Sequence, residues 1–347
     1  MKHTLFLLPL ATFLCGCQSD ETPSQSTTDT TPVEIRLSTA LIQTRSVVNS
    51  TAEGRFSAEG LGIFMLAEGV AAWSDADQTA GLNNVNTRVA DGNIAWTDGN
   101  ARYYPTTSYQ YGFYGYYPIG TPTYADGKYT VAYTLDGTQD IFAGASTAAV
   151  YNASYFKIDG NSEALPKLHF EHKLTQLNFQ ITPTAVEDSS PATYYNVNNL
   201  RVQSIAVTNV PTAAVLTVAD LNGEDGVLSA SGAETVWVKK SDTQPLVAAE
   251  NDLTVTGSPV AHQIGQPLLL PALAADNNSQ VVITFQYGDD ASSTIQRSVN
   301  LASHAFAAGS SYTLTLTVGG SNQEITLKAV LTPWTNGGTV DLGGITL

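Results

Sequence analysis

Cysteine is almost missing from this chain: its 347 residues hold two, Cys15 and Cys17, both within the first 17 positions. The rest therefore has no disulfide, no thiol nucleophile and no cysteine metal ligand. Charge is also scarce. Asp, Glu, Lys and Arg together make up 13% of the residues, about half the usual share. Basic residues are the scarcer sign, 15 Lys plus Arg against 31 Asp plus Glu, which leaves a net charge of −16. Such a surface repels a phosphate backbone, so DNA and RNA drop out as partners. The apolar run Leu5 to Leu14 is about ten residues long, too short to cross a bilayer as a mature helix. No 15-residue stretch sustains a capped 3.6-residue apolar period, so no long helix is expected. The hydrophobic share of 43% is ordinary for a packed protein and excludes disorder for most of the chain. At roughly 100 to 200 residues per domain the length suggests two domains, with one large β domain as the alternative.

What is present begins with an address. Met1, Lys2 and His3 open a short basic start before the Leu5 to Leu14 run, the order of a secretory signal. The run ends in Leu14-Cys15-Gly16-Cys17, which resembles the lipobox of bacterial lipoproteins. By that resemblance residues 1–16 are removed and Cys17 carries the lipid. Two or three acyl chains on one residue exceed the single-chain threshold for stable anchoring, so the chain would sit on a membrane surface without spanning it. Residues 17–32 are rich in Ser, Thr, Asp, Glu and Pro. They cannot bury enough surface to offset their ordering entropy and read as a tether. Ser19-Asp20-Glu21 resembles the surface-export signal of Bacteroidetes lipoproteins.

From Val33 onward short alternating segments are punctuated by Gly, Asn, Asp and Pro, the pattern of all-β sandwiches. Val131, Tyr133 and Leu135 alternate before Asp136-Gly137; Ile205 and Val207 alternate toward Asn209; Val281, Ile283, Phe285 and Tyr287 alternate up to Gly288-Asp289. Tyr312, Leu314, Leu316 and Val318 are answered across Gly319-Gly320 by Ile325, Leu327, Ala329 and Leu331, a hairpin. Phe170, His172 and Leu174 share one phase while Leu177, Phe179 and Ile181 share the other. That change across Thr175-Gln176 suggests a bulge within one strand. Asp159-Gly160-Asn161-Ser162 and Pro166 interrupt the pattern, which places a boundary between domains 33–162 and 163–347.

Several blocks, taken in order, resemble the fimbrillins of Bacteroidetes, the type V pilin or Mfa-like group. They are Thr44-Arg45 after a first strand at Val33 to Leu41, Leu61-Gly62-Ile63-Phe64, Asn86, Trp96, and the aromatic strand Tyr111 to Pro118. Asp140-Ile141-Phe142-Ala143, Leu168 to Leu174, Gln176 to Phe179, Ala308 to Leu314 and Ile325 through Trp334 complete the series. The resemblance implies two β-sandwich domains of transthyretin-like topology in tandem, export as a lipoprotein to the outer-membrane surface, and assembly into a fimbrium. It also implies cleavage after an arginine beyond the first strand, with Arg45 the first candidate and Arg55, in Gly54-Arg55, the second. Loss of that strand would open a groove for an extended C-terminal segment of the next pilin subunit, a head-to-tail contact that propagates. Val33, Ile35, Leu37 and Thr39 share one phase, as a groove-filling strand requires; at the other end Val340 and Leu342 alternate but Gly343-Gly344 interrupts the phase before Ile345. That interruption weakens the tail as a donor and suits a minor or tip position. The alternative is a monomeric surface lipoprotein that binds a glycan or a host protein without polymerising.

Chemical signals are thin. The chain has no Gly-x-Ser-x-Gly elbow, phosphate-binding loop, His-Glu-x-x-His or dinucleotide fingerprint, so no enzyme and no cofactor are expected. His169 and His172 lie three apart on a predicted strand and face opposite ways; one packed and one exposed histidine is the expectation, and joint metal ligation is not. His262 and His304 stand alone, and Asp75-Ala76-Asp77 and Asp289-Asp290 lack the ligand series of a calcium loop and read as turns. Between Tyr103 and Tyr117, eight of fifteen residues are Tyr or Phe. Exposed, they could stack on sugars; alternation instead puts Tyr111 and Phe113 on one face of a strand and Tyr114 and Tyr116 on the other, and core packing is the reading adopted. Trp334 after Pro333 reads as a core plug.

Overall fold

The alternating segments are strands. The computed structural model describes residues 31–39, 58–183 apart from positions 75, 80, 91, 159 and 163, 200–239, 262–287, 294–318 apart from 303, 325–333 and 340–345. In chain order the strands are β1 (Leu37–Thr39), β2 (Ala58–Ala67), β3 (Val85–Ala90), β4 (Asn93–Trp96), β5 (Tyr111–Tyr117), β6 (Pro122–Ala125), β7 (Lys128–Thr134) and β8 (Phe142–Ser146). Then come β9 (Lys167–His172), β10 (Thr175–Pro183), β11 (Leu200–Val210), β12 (Ala213–Asp220), β13 (Val227–Ser231), β14 (Glu234–Lys239) and β15 (His262–Gln263). The series ends with β16 (Leu268–Leu270), β17 (Gln280–Tyr287), β18 (Thr294–Asn300), β19 (Ser310–Val318), β20 (Ile325–Pro333) and β21 (Val340–Ile345). Helix is confined, among the described residues, to single turns α1 (Ala76–Thr79) and α2 (Ala153–Phe156); Asn152 caps the second by accepting from the Tyr155 N–H at 2.8 Å.

The all-β class expected from the sequence is what the chain adopts. Seven strands close into a barrel in the order β1-β4-β3-β2-β5-β8-β9. Two further sheets, β15-β10-β19-β20-β21 and β14-β11-β17-β18, share one core in which Leu177, Phe179, Leu314 and Leu316 meet Ile205, Val207, Val281, Ile283 and Phe285. A fourth sheet runs β13-β12-β7-β6, so it takes strands from both sides of position 162. It covers the outer face of the barrel. Phe64, Leu66, Tyr114 and Tyr116 pack there with Tyr129, Val131, Leu216 and Val218, while Ile63, Met65, Tyr111 and Phe113 point into the barrel. Strands β2 and β5 are therefore buried on both faces, which is why they read as unbroken apolar or aromatic runs. Residues Val33–Leu347 form one compact unit.

Two local fits decide what these strands tolerate. The Tyr116 ring lies directly over Gly62, so a Cβ there would collide with it. At Gly144 on β8 a Cβ would run into the His169 carbonyl of the neighbouring strand. Both positions need the close approach that only glycine gives.

The hairpin expected near the C-terminus is present, with Tyr312 opposite Leu331, Leu314 opposite Ala329 and Leu316 opposite Leu327. The expected bulge at Thr175-Gln176 is not. The strand ends at His172, turns at Lys173 and Leu174, and restarts as β10 in a different sheet. The Lys173 N–H bonds the Ile141 carbonyl at 2.8 Å and the Gly309 N–H bonds the Leu174 carbonyl at 2.9 Å, which fixes the crossover. Moving between sheets exchanges the buried phase just as an extra residue does.

Candidate functional site

The first strand and the slot that holds it are built from a simple alternation. Ile35, Leu37 and Thr39 face inward, while Glu34 and Arg36 face out. Ile35 and Leu37 are 1% and 2% exposed and join the barrel core with Ile94, Tyr104, Leu168 and Phe170. Strand β1 lies between two others, antiparallel to β4 (Leu37 with Ile94, Ser38 with Asn93) and parallel to β9 (Ser38 with Lys167, Thr39 with Leu168). Its backbone is bonded along 33–39: Ile35 N–H to the Arg102 carbonyl at 2.7 Å, Ser38 N–H to Pro166 at 3.0 Å, and Thr39 N–H to Gly92 at 2.8 Å. In return the Tyr104 N–H donates to the Val33 carbonyl at 2.9 Å. Burying the two large side chains contributes about 3 to 6 kcal/mol. Taking β1 away would leave β4 and β9 about 10 Å apart, each with unpaired backbone groups beside an open apolar pocket. Exposed edges of that kind take up another strand.

At the other end of the chain, β21 pairs antiparallel with β20 of its own sheet as an edge strand. Its register runs Leu327 with Ile345 and Lys328 with Gly344, then shifts to Val330 with Asp341. One extra residue is accommodated between Asp341 and Gly344, next to the Gly343-Gly344 pair where the sequence breaks phase.

The outward side of the slot mixes charged and apolar groups. A cleft of about 550 Å³ is lined by Glu34, Arg36, Arg88, Asn93, Ala95 and Trp96 among others. Beside it Arg102 lies over the Trp96 ring, 5.2 Å from its centroid, and is held by Asp98 at 2.9 Å. Through that bond the guanidinium draws the Asp98 carboxyl down to about 2.

The other singled-out side chains sort as follows. His169 is exposed and His172 is buried, its Nδ1 2.9 Å from Asp140 Oδ2; the two histidines face apart, as their spacing implied. Asp140, which carries that pairing, gave no signal as a partner because it lies 32 residues away. No group of three or more metal-ligating side chains occurs among the described residues. Tyr104, Tyr111, Phe113, Tyr114 and Tyr116 are buried, so most of the aromatic cluster is core, with its strand divided between two faces as alternation implied; Tyr109 and Tyr117 are half-buried and Tyr103 is 53% exposed. Burial pushes the Tyr114 hydroxyl well above its usual range, and it donates to Glu68 at 3.1 Å. Glu68 is itself raised by burial. Cys17, Arg45, Arg55, Asp75, Asp289, Asp290 and Trp334 lie outside the described residues. Sequence reading passed over Arg36 and Arg88; the usable signal was two arginines on the polar phase of strands in an acid-rich chain.

A family model described as fimbrillin-like matches residues 44–334, beginning just beyond β1. Over 351 aligned residues the chain is 26% identical to a candidate fimbrium subunit, Fim1C, of Bacteroides uniformis, covering 97% of this chain and 96% of that one. The crystal structure of a candidate cell adhesion protein from Bacteroides uniformis aligns with TM-score 0.53 at 19% identity over 88% of this chain and 98% of that one. That of a fimbrial protein from Bacteroides vulgatus aligns with TM-score 0.48 at 13% identity over 88% and 99%.

Proposed function

Because the chain belongs to the fimbrillin-like family, we propose that it serves as a structural and adhesive subunit of a cell-surface fimbrium, assembled by exchange of its first strand. In this reading it is exported as a lipoprotein with Cys17 acylated and inserted in the outer membrane. A surface protease then cuts after Arg45, or after Arg55, and β1 leaves. The C-terminal segment of another pilin subunit fills the slot head to tail; the accepting part is the barrel, which takes its wall β9 from beyond position 162, and the donating part is the remainder of 163–347. The bulge in β21 supports a minor or tip position, where forward donation is not required. A monomeric lipoprotein that binds a glycan or host protein is the second reading, favoured by β21 being paired within its own chain.

The observation that carries the first reading is the placement of β1. It is a three-residue strand, held between two strands in the barrel, with its apolar side chains inward. A strand so short leaves few ladder bonds to break, while the pocket it vacates is deep. The test is a lock. Ser38 and Lys167 are register partners on β1 and β9, and the body carries no native cysteine. Ser38→Cys with Lys167→Cys should cross-link on oxidation, hold β1 after proteolysis and abolish polymer formation until reduced. Polymers of normal length from the oxidised variant would refute strand exchange. Mass spectrometry of surface material should give an N-terminus at Ser46, and a chain uncut at both arginines would favour the monomeric reading.

A further inference from the structure

The cations of this acid-rich chain are unevenly used. Among the described residues, Arg102, Lys128 and Lys173 each hold a carboxylate, at 2.9, 2.9 and 3.1 Å. Arg36, Arg88 and Lys167 have no ion pair within 4 Å among the described residues, and all three gather on the outward side of β1 and its neighbours. Arg88 on β3 stands level with Ala95 on β4. Arg36 directly precedes the Leu37 pairing with Ile94. Since Ile94 points inward, Ala95 points out, and the strand order β1-β4-β3 sets this small residue as a floor between the two arginines. Lys167 follows on β9, beside Ser38. Among the described residues three carboxylates stand near: Glu34 in the cleft, Glu59 opposite Arg88 on β2, and Asp98, which is taken up by Arg102. Counted over the described residues, the patch is net positive on a chain of net charge −16.

We propose that this cleft, floored by Ala95 and flanked by Arg36 and Arg88, binds an acidic glycan through the carboxylates of its uronic-acid units. Arginine forks suit carboxylates, bonding them in two places at once. Asn93, Asn100 and the Trp96 ring share the lining with apolar groups that include Ile94 and Leu165: amides for hydroxyls, and an aromatic edge and apolar side chains for the carbon faces of the sugar rings. The volume of about 550 Å³ is within the range of small-ligand sites. An acidic peptide fits less well, because the barrel is closed here. With β1 bonded on both sides, no edge is free for a peptide to extend. The site exists while β1 is seated, as it is in this structure; if β1 leaves on assembly, Arg36 leaves with it, so this binding belongs to the uncleaved chain.

The experiment is isothermal titration of the full-length chain with hexagalacturonate, with its carboxyl-reduced counterpart, and with a glutamate hexapeptide, at low and at physiological salt. Hexagalacturonate should bind, more weakly as salt rises, and the neutral sugar should bind on the order of ten-fold less tightly or not at all. Arg36→Gln and Arg88→Gln should each lower the affinity on the order of ten-fold with an unchanged circular dichroism spectrum, since both side chains are exposed. Arg297→Gln, on β18 outside the barrel, should leave it unchanged. Equal binding of the glutamate peptide would overturn the glycan assignment in favour of a peptide or of charge alone. No binding of hexagalacturonate at low salt, or unchanged affinity in both arginine variants, would overturn the site.

Discussion

Truncating Leu37 to alanine tests whether β1 opens by itself or only with the whole barrel. The side chain is 2% exposed and belongs to the barrel core, a setting in which leucine-to-alanine changes cost about 2 to 5 kcal/mol. If β1 lifts as a unit, that loss acts on the local opening, and each 1.4 kcal/mol is a tenfold change in its population. Even the low end then raises the open fraction about 30-fold. The reporter is the Tyr104 amide. Tyr104 lies outside β1, yet its N–H donates to the Val33 carbonyl, so it loses protection when the segment departs. The Leu269 amide, bonded to the Gly137 carbonyl far from the slot, serves as the control. Hydrogen exchange with residue-level readout should show Tyr104 deprotected about 30-fold or more in Leu37→Ala while Leu269 changes little. Ser38→Ala, on the polar face, should leave both alone. Equal loss of protection at Tyr104 and Leu269 would mean that the strand opens only by global unfolding, and strand release before assembly would lose its physical basis.

Gly144→Ala should prevent β8 from pairing with β9, because the added Cβ meets the His169 carbonyl; the expected outcome is insoluble protein or a melting temperature lowered by many degrees. Gly69→Ala is the contrast, a positive-φ glycine with nothing around it, and should cost only about 1 kcal/mol of backbone strain by urea denaturation. Glu68→Gln should stabilise the fold at pH 7 and have little effect at pH 4. The Glu68 carboxyl is raised by burial and the neighbouring Asp225 is raised as well, by its own burial and by the charges of Asp220 and Glu68. A raised acid binds its proton more tightly folded than unfolded, so its contribution is present at low pH and is lost as pH rises through the folded value. Equal shifts in melting temperature at the two pH values would show that Glu68 is not protonated preferentially in the fold.

Local features of this fold were legible and long-range ones were not. Alternation alone located β17, the β19–β20 hairpin and the two faces of β5, because each depends on a period of two within a few residues. The inward phase of Ile35, Leu37 and Thr39 was read for the same reason. The crossover at Lys173-Leu174 was mistaken for a bulge because both flip the phase, and only the partner strands distinguish them. The pairing of β7 with β12, which sets Leu216 opposite Val131, left no trace in local pattern. The cleft was missed for a related reason. Arg36 and Arg88 come from segments that local reading treated separately, and only the order β1-β4-β3 brings them around Ala95.

That same fourth sheet bears on whether a subunit can survive with its slot empty. If β1 departs as proposed, the barrel core loses Ile35 and Leu37, about 3 to 6 kcal/mol of burial, which is a large part of the 5 to 15 kcal/mol that typically separates folded from unfolded. A barrel relying on its interior alone would be close to collapse. Strands β2 and β5 do not rely on it alone, since Phe64, Leu66, Tyr114 and Tyr116 are anchored on the opposite face by Tyr129, Val131, Leu216 and Val218. The ion pair of Lys128 with the buried Asp220 at 2.9 Å ties the ends of β7 and β12, and the Lys128 ammonium and the Asn222 amides outweigh the burial cost and keep the Asp220 carboxyl below its usual range. On the strand-exchange proposal, loss of β1 would empty one side of a layer whose other side stays packed, and the vacated pocket would keep its shape for an incoming strand. Phe64→Ala, which hollows the outer face at β2, should cost little while β1 is seated beyond the usual 3 to 5 kcal/mol for such a truncation, yet should make the cleaved form aggregate. Cleaved Phe64→Ala that stays monomeric and folded would show that the outer sheet is not what holds the open slot in shape.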